Sequence, residues 1–135
     1  MGGIGRLWVM LAGLGGAVAV GAGAYANHAL AGAEHEQARA WMTLASQYQL
    51  WHALALVAAA VLAERAAGVA RLVVRLSGWL FLAGSLLFCG TLYALALGIA
   101  LPMGNTAPAG GSSMIAGWAL LALGALVPGW TAKRR

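Results

Sequence analysis

The chain has 135 residues, of which 62% are hydrophobic and only 8% are charged. An average soluble domain is about one quarter charged and less than half apolar, so this composition lacks the polar surface of a soluble fold. The formal net charge is +5, but the basic residues lie at the edges of apolar segments and form no stripe with interleaved aromatic residues. This placement argues against nucleic-acid binding and favours a protein of the lipid bilayer.

Four apolar segments reach or approach the length of about 20 residues that a helix needs to cross a bilayer. They cover approximately residues 7–26, 42–63, 76–101 and 112–130. Pro102, Pro108 and the Gly110-Gly111 pair are predicted to break the chain between the last two segments. The sequence therefore predicts an all-α fold, in which residues 1–135 form one integral membrane bundle of four transmembrane helices.

The connection between the first two segments is polar, with Glu34, His35, Glu36 and Arg39 close together. Residues 33–46 either form a helical turn lying on the outer membrane surface or extend the second helix out of the membrane. The sequence leaves both interpretations open.

The basic residues also predict the orientation, because Lys and Arg next to a span resist translocation. Seven of the eight lie on one side if four segments cross, and only Arg39 lies on the other. Both termini are therefore expected in the cytoplasm. An alternative is that Arg6 and the first segment form a signal peptide cleaved after Ala26, which would leave three spans.

Four tryptophans lie near the ends of predicted spans, where an indole can bury its ring and keep its N–H hydrated. We expect these side chains at the membrane interface: Trp8, Trp41, Trp79 and Trp130.

Small residues recur at helical spacing on three of the segments, which is typical of close helix contacts in membranes. Such stripes fit packing within the bundle, and homodimerisation is the alternative. The predicted packing residues are Gly13, Ala17 and Gly21, then Gly78, Ser85 and Cys89, and then Ser113, Gly117 and Gly124.

The second segment carries a polar cluster, since Tyr48, Gln49 and His52 are three and four residues apart and share one helix face. We expect His52 to face the bundle near His28, with Gln49 or Tyr93 among its hydrogen-bond partners. The cluster either joins helices by hydrogen bonds or binds a haem, quinone, metal or other ion. The structural interpretation predicts no cofactor and no metal.

Catalysis has little support in the sequence. The only carboxylates are Glu34, Glu36 and Glu64, which lie in predicted connections and form no recognisable acid–base pair. Cys89 has no partnered base in the sequence. We therefore predict no catalytic residues and no enzymatic activity.

Several blocks of sequence resemble a bacterial family catalogued as domain of unknown function 423, which includes proteins similar to the small transmembrane protein 256 of eukaryotes. The departures are Ala26-Asn27, where the family usually has Gly-Ala, and Cys89 and Thr91, where it has Ser. The matching blocks are residues 23–28 (GAYANH), 48–56 (YQLWHALAL), 88–93 (FCGTLY), 108–111 (PAGG) and 116–118 (AGW).

This resemblance implies a four-helix protein of the bacterial inner membrane that retains its first helix, and it implies no particular activity. The leading hypothesis is a non-enzymatic membrane component whose partners are the bilayer and a second copy of itself or a larger membrane complex. The alternative is a small membrane protein that binds a ligand, haem, quinone or ion around His28 and His52.

Overall fold

The computed structural model describes residues 1–101 and 104–130, and within these ranges the fold is all helical. Four α-helices follow one another, and a short 3-10 turn, Ala33–His35, lies between the first two. The helices are α1 (Gly3–His28), α2 (Glu36–Arg65), α3 (Gly68–Ala96) and α4 (Thr106–Gly124). The predicted all-α class and the number of helices are confirmed.

Consecutive helices pack side by side, with α1 on α2, α2 on α3 and α3 on α4. Only Ala66 and Ala67 separate α2 from α3, so these helices form a tight antiparallel hairpin. Within the described part of the chain, α1 and α3 make no close backbone contact with each other. α2 therefore lies between them, and one of its faces forms the floor of the gap that separates α1 from α3.

By length and composition, α1 and α3 are apolar enough to cross a membrane. The other two helices carry more polar or small residues, with Tyr48, Gln49 and His52 in the middle of α2 and residues 110–113 in the first half of α4. That all four helices cross a bilayer stays a prediction at this point.

The polar stretch 33–46 belongs mainly to α2, which begins at Glu36 and continues unbroken to Arg65. The structure therefore favours the extension of the second helix over a separate surface helix. On this extension, the Arg39 guanidinium donates a hydrogen bond to the Ala31 carbonyl oxygen at 3.4 Å.

The third helix ends earlier than the predicted segment, at Ala96 instead of Leu101. Gly98 follows in the left-handed region, with φ of +70°. The Ile99 N–H donates to the Ala94 carbonyl at 2.8 Å and the Gly98 N–H donates to the Leu95 carbonyl at 3.1 Å. These two bonds form a Schellman cap, which stops a helix even where the sequence remains apolar.

The fourth helix begins at Thr106, six residues before the predicted segment, and ends at Gly124 instead of Trp130. Pro108 and Gly110 were predicted to break the chain, but both lie inside α4. Proline is tolerated in the first helical turn because the N–H that it lacks would have no partner within the helix there.

Trp8 is the largest fully buried side chain, and it fills the space between α1 and α3 near the start of α1. Its ring lies against Gly78, where an added Cβ would come within 2.5 Å of the indole, and Trp79 meets it edge-on at 5.6 Å. Its N–H has no hydrogen-bond partner among the described residues. Trp8 is thus a core residue and not the hydrated interface residue that was predicted. Trp79 and Trp130 do remain partly exposed.

Small residues bring α3 and α4 into close contact. Gly84 and Gly110 meet backbone to backbone, since an added Cβ on Gly110 would lie 2.8 Å from the Gly84 carbonyl oxygen. Gly117 lies against Phe81, and an added Cβ would come within 2.8 Å of the ring. The other predicted packing residues of α4 also face α3: the Ser113 hydroxyl donates to the Leu80 carbonyl at 2.9 Å, and Gly124 contacts Val73.

The small residues predicted for packing on α1 face away from the other helices. Gly13, Ala17 and Gly21 are exposed, and nothing lies within 4 Å of a Cβ added to either glycine. The face of α1 that contacts α2 carries Ala19 and Gly23, where Ser46 donates to the Ala19 carbonyl at 2.7 Å. α1 has small residues all around its circumference, so their spacing alone did not identify the packed face.

Candidate functional site

The polar residues of α2 are held in place by neighbouring helices. His52 is only 6% exposed. Its Nδ1 lies 2.8 Å from the Tyr48 carbonyl oxygen, and the Trp118 indole N–H donates to its Nε2 at 3.2 Å. A carbonyl oxygen can only accept, so Nδ1 carries the hydrogen and Nε2 is the acceptor. The imidazole is therefore neutral, and both of its nitrogens are hydrogen-bonded within the protein.

Aromatic rings surround this imidazole on α3 and α4. Phe81 contacts both His52 and Trp118, with ring centroids 5.7 Å and 4.8 Å away, and Phe88 packs on Tyr48 at 5.0 Å. Trp118 was not predicted as a member of the cluster. A sequence signal for it did exist, because an indole N–H in the middle of an apolar helix requires an acceptor on another element.

Gln49 and Tyr93 form the second hydrogen bond between helices, as the Tyr93 hydroxyl donates to Gln49 Oε1 at 2.6 Å. Both residues were predicted as possible partners of His52, and the structure pairs them with each other instead. The Gln49 amide nitrogen points toward Gly15 on α1, where an added Cβ would lie 3.7 Å from it.

Ser85 and Cys89 continue the same face of α3 toward Tyr93, at steps of four residues. The Ser85 hydroxyl lies 3.9 Å from the Cys89 sulfur, and the thiol is buried. Both were predicted as packing residues with Gly78. Gly78 contacts Trp8 from α1, while Ser85 and Cys89 face the gap above α2.

These side chains line a cleft of about 370 Å³ between α1 and α3, which we call the α1–α3 cleft. Its walls are apolar, with Leu14 and Val18 on α1 and Leu86 on α3. The polar residues that line it are Gln49, His52, Ser85, Cys89 and Tyr93.

His28 does not belong to this site. It is exposed in the last turn of α1, whereas Gly15 is the α1 residue level with Gln49 and Ala53. Thirteen residues of helix separate His28 from Gly15, which corresponds to about 20 Å along the axis. The two histidines therefore cannot share one metal or haem in this structure.

Within residues 1–101 and 104–130, no three His, Cys, Asp or Glu side chains lie close enough together to hold a metal ion. On the surface, His35 Nε2 lies 3.6 Å from Glu34 Oε1. The Glu64 carboxylate accepts a hydrogen bond from the Gly2 N–H at 2.9 Å. The bond from Gly2 lowers the pKa of Glu64. These carboxylates all lie away from the α1–α3 cleft.

Together these features define an all-α four-helix protein, in which two helices are apolar enough to cross a membrane and a largely apolar side cleft is lined by a few polar residues of α2 and α3. Its sequence matches the family model described as "Protein of unknown function (DUF423)" over residues 22–111, so the chain belongs to that family. No curated protein and no solved structure matches it.

Proposed function

We propose that this chain is a multi-pass protein of the bacterial inner membrane, with four crossing helices and both termini in the cytoplasm. We further propose that it performs no chemistry of its own and acts as an accessory component of a membrane assembly. The exposed small-residue face of α1, formed by Gly13, Ala17 and Gly21, is the observation that supports this role.

The relative direction of the helices supports a four-span topology. α1 and α3 start at the same end of the bundle, because the Gly2 N–H donates to Glu64 at the end of α2 and Trp8 lies beside Gly78. Two parallel helices that both cross a membrane require a returning helix between them. α2 is that helix, and two polar side chains in its middle, Gln49 and His52, are turned inward, which reduces the free energy of placing them in lipid.

α4 lies along α3 over most of its length, with Gly110 beside Phe88 at one end and Gly124 beside Val73 at the other. In any membrane that α3 crosses, α4 therefore lies at the same depth as the part of α3 between Val73 and Phe88. Two hydroxyl groups in this region, those of Ser113 and Ser77, donate to backbone carbonyls, and this satisfies them without water.

The outer surface of the bundle is also suited to lipid. Every helix exposes large aliphatic side chains, including Leu14 (60% exposed), Leu54 (63%), Leu86 (69%) and Ile115 (72%). A soluble monomer rarely exposes apolar surface all around its circumference. In a bilayer the same residues face hydrocarbon at no cost.

The charge distribution supports the orientation. Arg6 lies in the first turn of α1, Arg65 ends α2, and Arg71 and Arg75 lie in the first two turns of α3. All four therefore lie at one end of the bundle. Trp130 pairs with Ala66 at this same end. The basic residues 133–135 lie outside the described residues. Trp8 also supports retention of α1, since cleavage after Ala26 would remove this core side chain.

Reporter fusions test the topology. A cytoplasm-dependent fluorescent protein fused after residue 66 or at the C-terminus should be active, and alkaline phosphatase fused after residue 31 or 104 should be active. The fusion after residue 66 is the decisive one. If α1 and α3 alone crossed, residue 66 would lie outside, and phosphatase activity there would refute the four-span topology.

The α1 face supports assembly because the predicted small residues of α3 and α4 already contact neighbours within the chain. Gly13, Ala17 and Gly21 succeed one another at four-residue steps on the outward side, with nothing packed on them. Such a surface lets another helix approach closely, and dispersion contacts rather than water release then stabilise the pair. The partner is a second copy or another membrane protein.

Ala17→Leu and Gly117→Leu are matched tests of this assignment. Ala17→Leu should leave the thermal stability of the purified monomer near that of wild type and abolish self-association or co-purification from mild detergent. Gly117→Leu should instead destabilise the monomer by about 1–3 kcal/mol, because the new side chain overlaps Phe81. An Ala17→Leu variant that assembled as wild type does would exclude this face as the contact surface.

A further inference from the structure

The α1–α3 cleft contains hydrogen-bonding capacity that the protein does not use. The Gln49 side-chain carbonyl oxygen accepts a hydrogen bond from the Tyr93 hydroxyl, while the Gln49 amide N–H₂ has no partner among the described residues. The Ser85 hydroxyl has only the weak 3.9 Å contact with Cys89. In contrast, both ring nitrogens of His52 already form hydrogen bonds within the protein. An unused amide donor is unfavourable inside hydrocarbon, where no water replaces the missing acceptor.

The shape of the cleft gives a ligand access from the side of the bundle. Leu14, Val18 and Leu86 line the cleft and are also exposed on the outer surface, so they mark its mouth between α1 and α3. At one end, Trp8 fills the space between the same two helices. Gly15 has no side chain, and this leaves the Gln49 amide open to the cleft.

The lining specifies the chemistry of the occupant. No Asp, Glu, Lys or Arg lines the cleft, so a charged ligand would have no counter-ion there. The volume of about 370 Å³ lies within the range of small-molecule sites, and the walls are almost wholly apolar. The available donors, the Gln49 amide and the Ser85 hydroxyl, match a carbonyl acceptor.

We propose that the α1–α3 cleft binds a neutral, lipid-soluble molecule through a carbonyl oxygen, which accepts a hydrogen bond from the Gln49 amide. Two kinds of molecule offer this chemistry, the head group of an isoprenoid quinone and the ester carbonyl of a neutral glycerolipid. Entry from the bilayer rests on the membrane topology proposed above, but binding itself depends on neither that topology nor the assembly role.

The test uses the full chain purified in mild detergent, with decylubiquinone and dioleoylglycerol as probes and native mass spectrometry or tryptophan quenching as the readout. At least one probe should bind saturably with a stoichiometry of one. If dioleoylglycerol binds, a dialkylglycerol ether, which lacks the carbonyl, should bind at least tenfold more weakly than the ester. If decylubiquinone alone binds, the site is assigned to quinones, and if dioleoylglycerol alone binds, it is assigned to glycerolipids.

Gly15→Leu fills the cleft beside Gln49 without removing any hydrogen bond, and Gly13→Leu places the same side chain on the opposite, exposed face of α1. Gly15→Leu should weaken binding at least tenfold, and Gly13→Leu should leave it unchanged, with both variants melting near the wild-type temperature. Equal binding by Gly15→Leu and wild type, equal saturable binding of ester and ether, or no binding of either probe would each overturn the proposal. None of these results would affect the reporter-fusion test of topology.

Discussion

Replacing Gly110 by Ala should lower the free energy of unfolding by about 3 kcal/mol, which is a large effect for a single methyl group. An added Cβ would meet the Phe88 backbone nitrogen and lie 2.8 Å from the Gly84 carbonyl oxygen. Both obstacles are backbone atoms in the middle of α3, so no side chain can rotate away to make room. α3 and α4 would have to move apart along their contact.

Gly111→Ala is the matched control, because its added Cβ would lie at an ordinary 3.9 Å from the Phe88 ring. Alanine is favoured over glycine within a helix by up to about 1 kcal/mol, so this variant should be as stable as wild type or slightly more stable. Unfolding by SDS titration in mixed micelles measures both. Equal stability of the two variants would show that α3 and α4 do not approach backbone to backbone at Gly110.

The second large effect is expected at His52, where substitution by Ala should destabilise the protein by about 1–3 kcal/mol. The change removes the acceptor of the Trp118 indole N–H and leaves that donor without a partner next to Phe81. Trp118→Phe removes the donor and leaves His52 Nε2 unpaired, so it should also destabilise the protein, though less.

The double variant separates this bond from general packing. If His52 and Trp118 interact as described, the combined loss of stability should be smaller than the sum of the single losses by about 1 kcal/mol. Strict additivity would contradict the hydrogen bond. Absorbance spectra and metal analysis of the purified protein provide an independent check, since a stoichiometric metal or haem that His52→Ala removes would show that the imidazole is a ligand and not a structural residue.

For the polar residues of α2, the sequence pattern predicted the helix face but not the hydrogen-bond partners. The spacing of Tyr48, Gln49 and His52 predicted one shared face on α2, and the structure places all three toward α3 or the cleft. Their partners were not predictable in the same way. Trp118 lies 66 positions from His52, and Gln49 pairs with Tyr93 only because α2 and α3 form an antiparallel hairpin.

For the small residues of α1, the sequence pattern did not predict the packed face, because small residues occur on more than one face of this helix. The stripes of α3 and α4 face neighbouring helices, but Gly13, Ala17 and Gly21 of α1 point outward. α1 presents Ala and Gly on its inner side as well. The packed side carries Trp8, whose ring lies where Gly78 leaves space for it.

By itself, the sequence determined the all-α fold class and the existence of four helices, because long apolar segments favour helices locally, without reference to neighbours. It also determined which face of α2 is polar, through the helical period. The tertiary structure alone decided the contact of Gly110 with α3, the outward direction of the α1 stripe, the pairing of His52 with Trp118 and the opening of the α1–α3 cleft. Each of these depends on the distance between two helices, which is set by complementary side-chain shapes from distant parts of the chain.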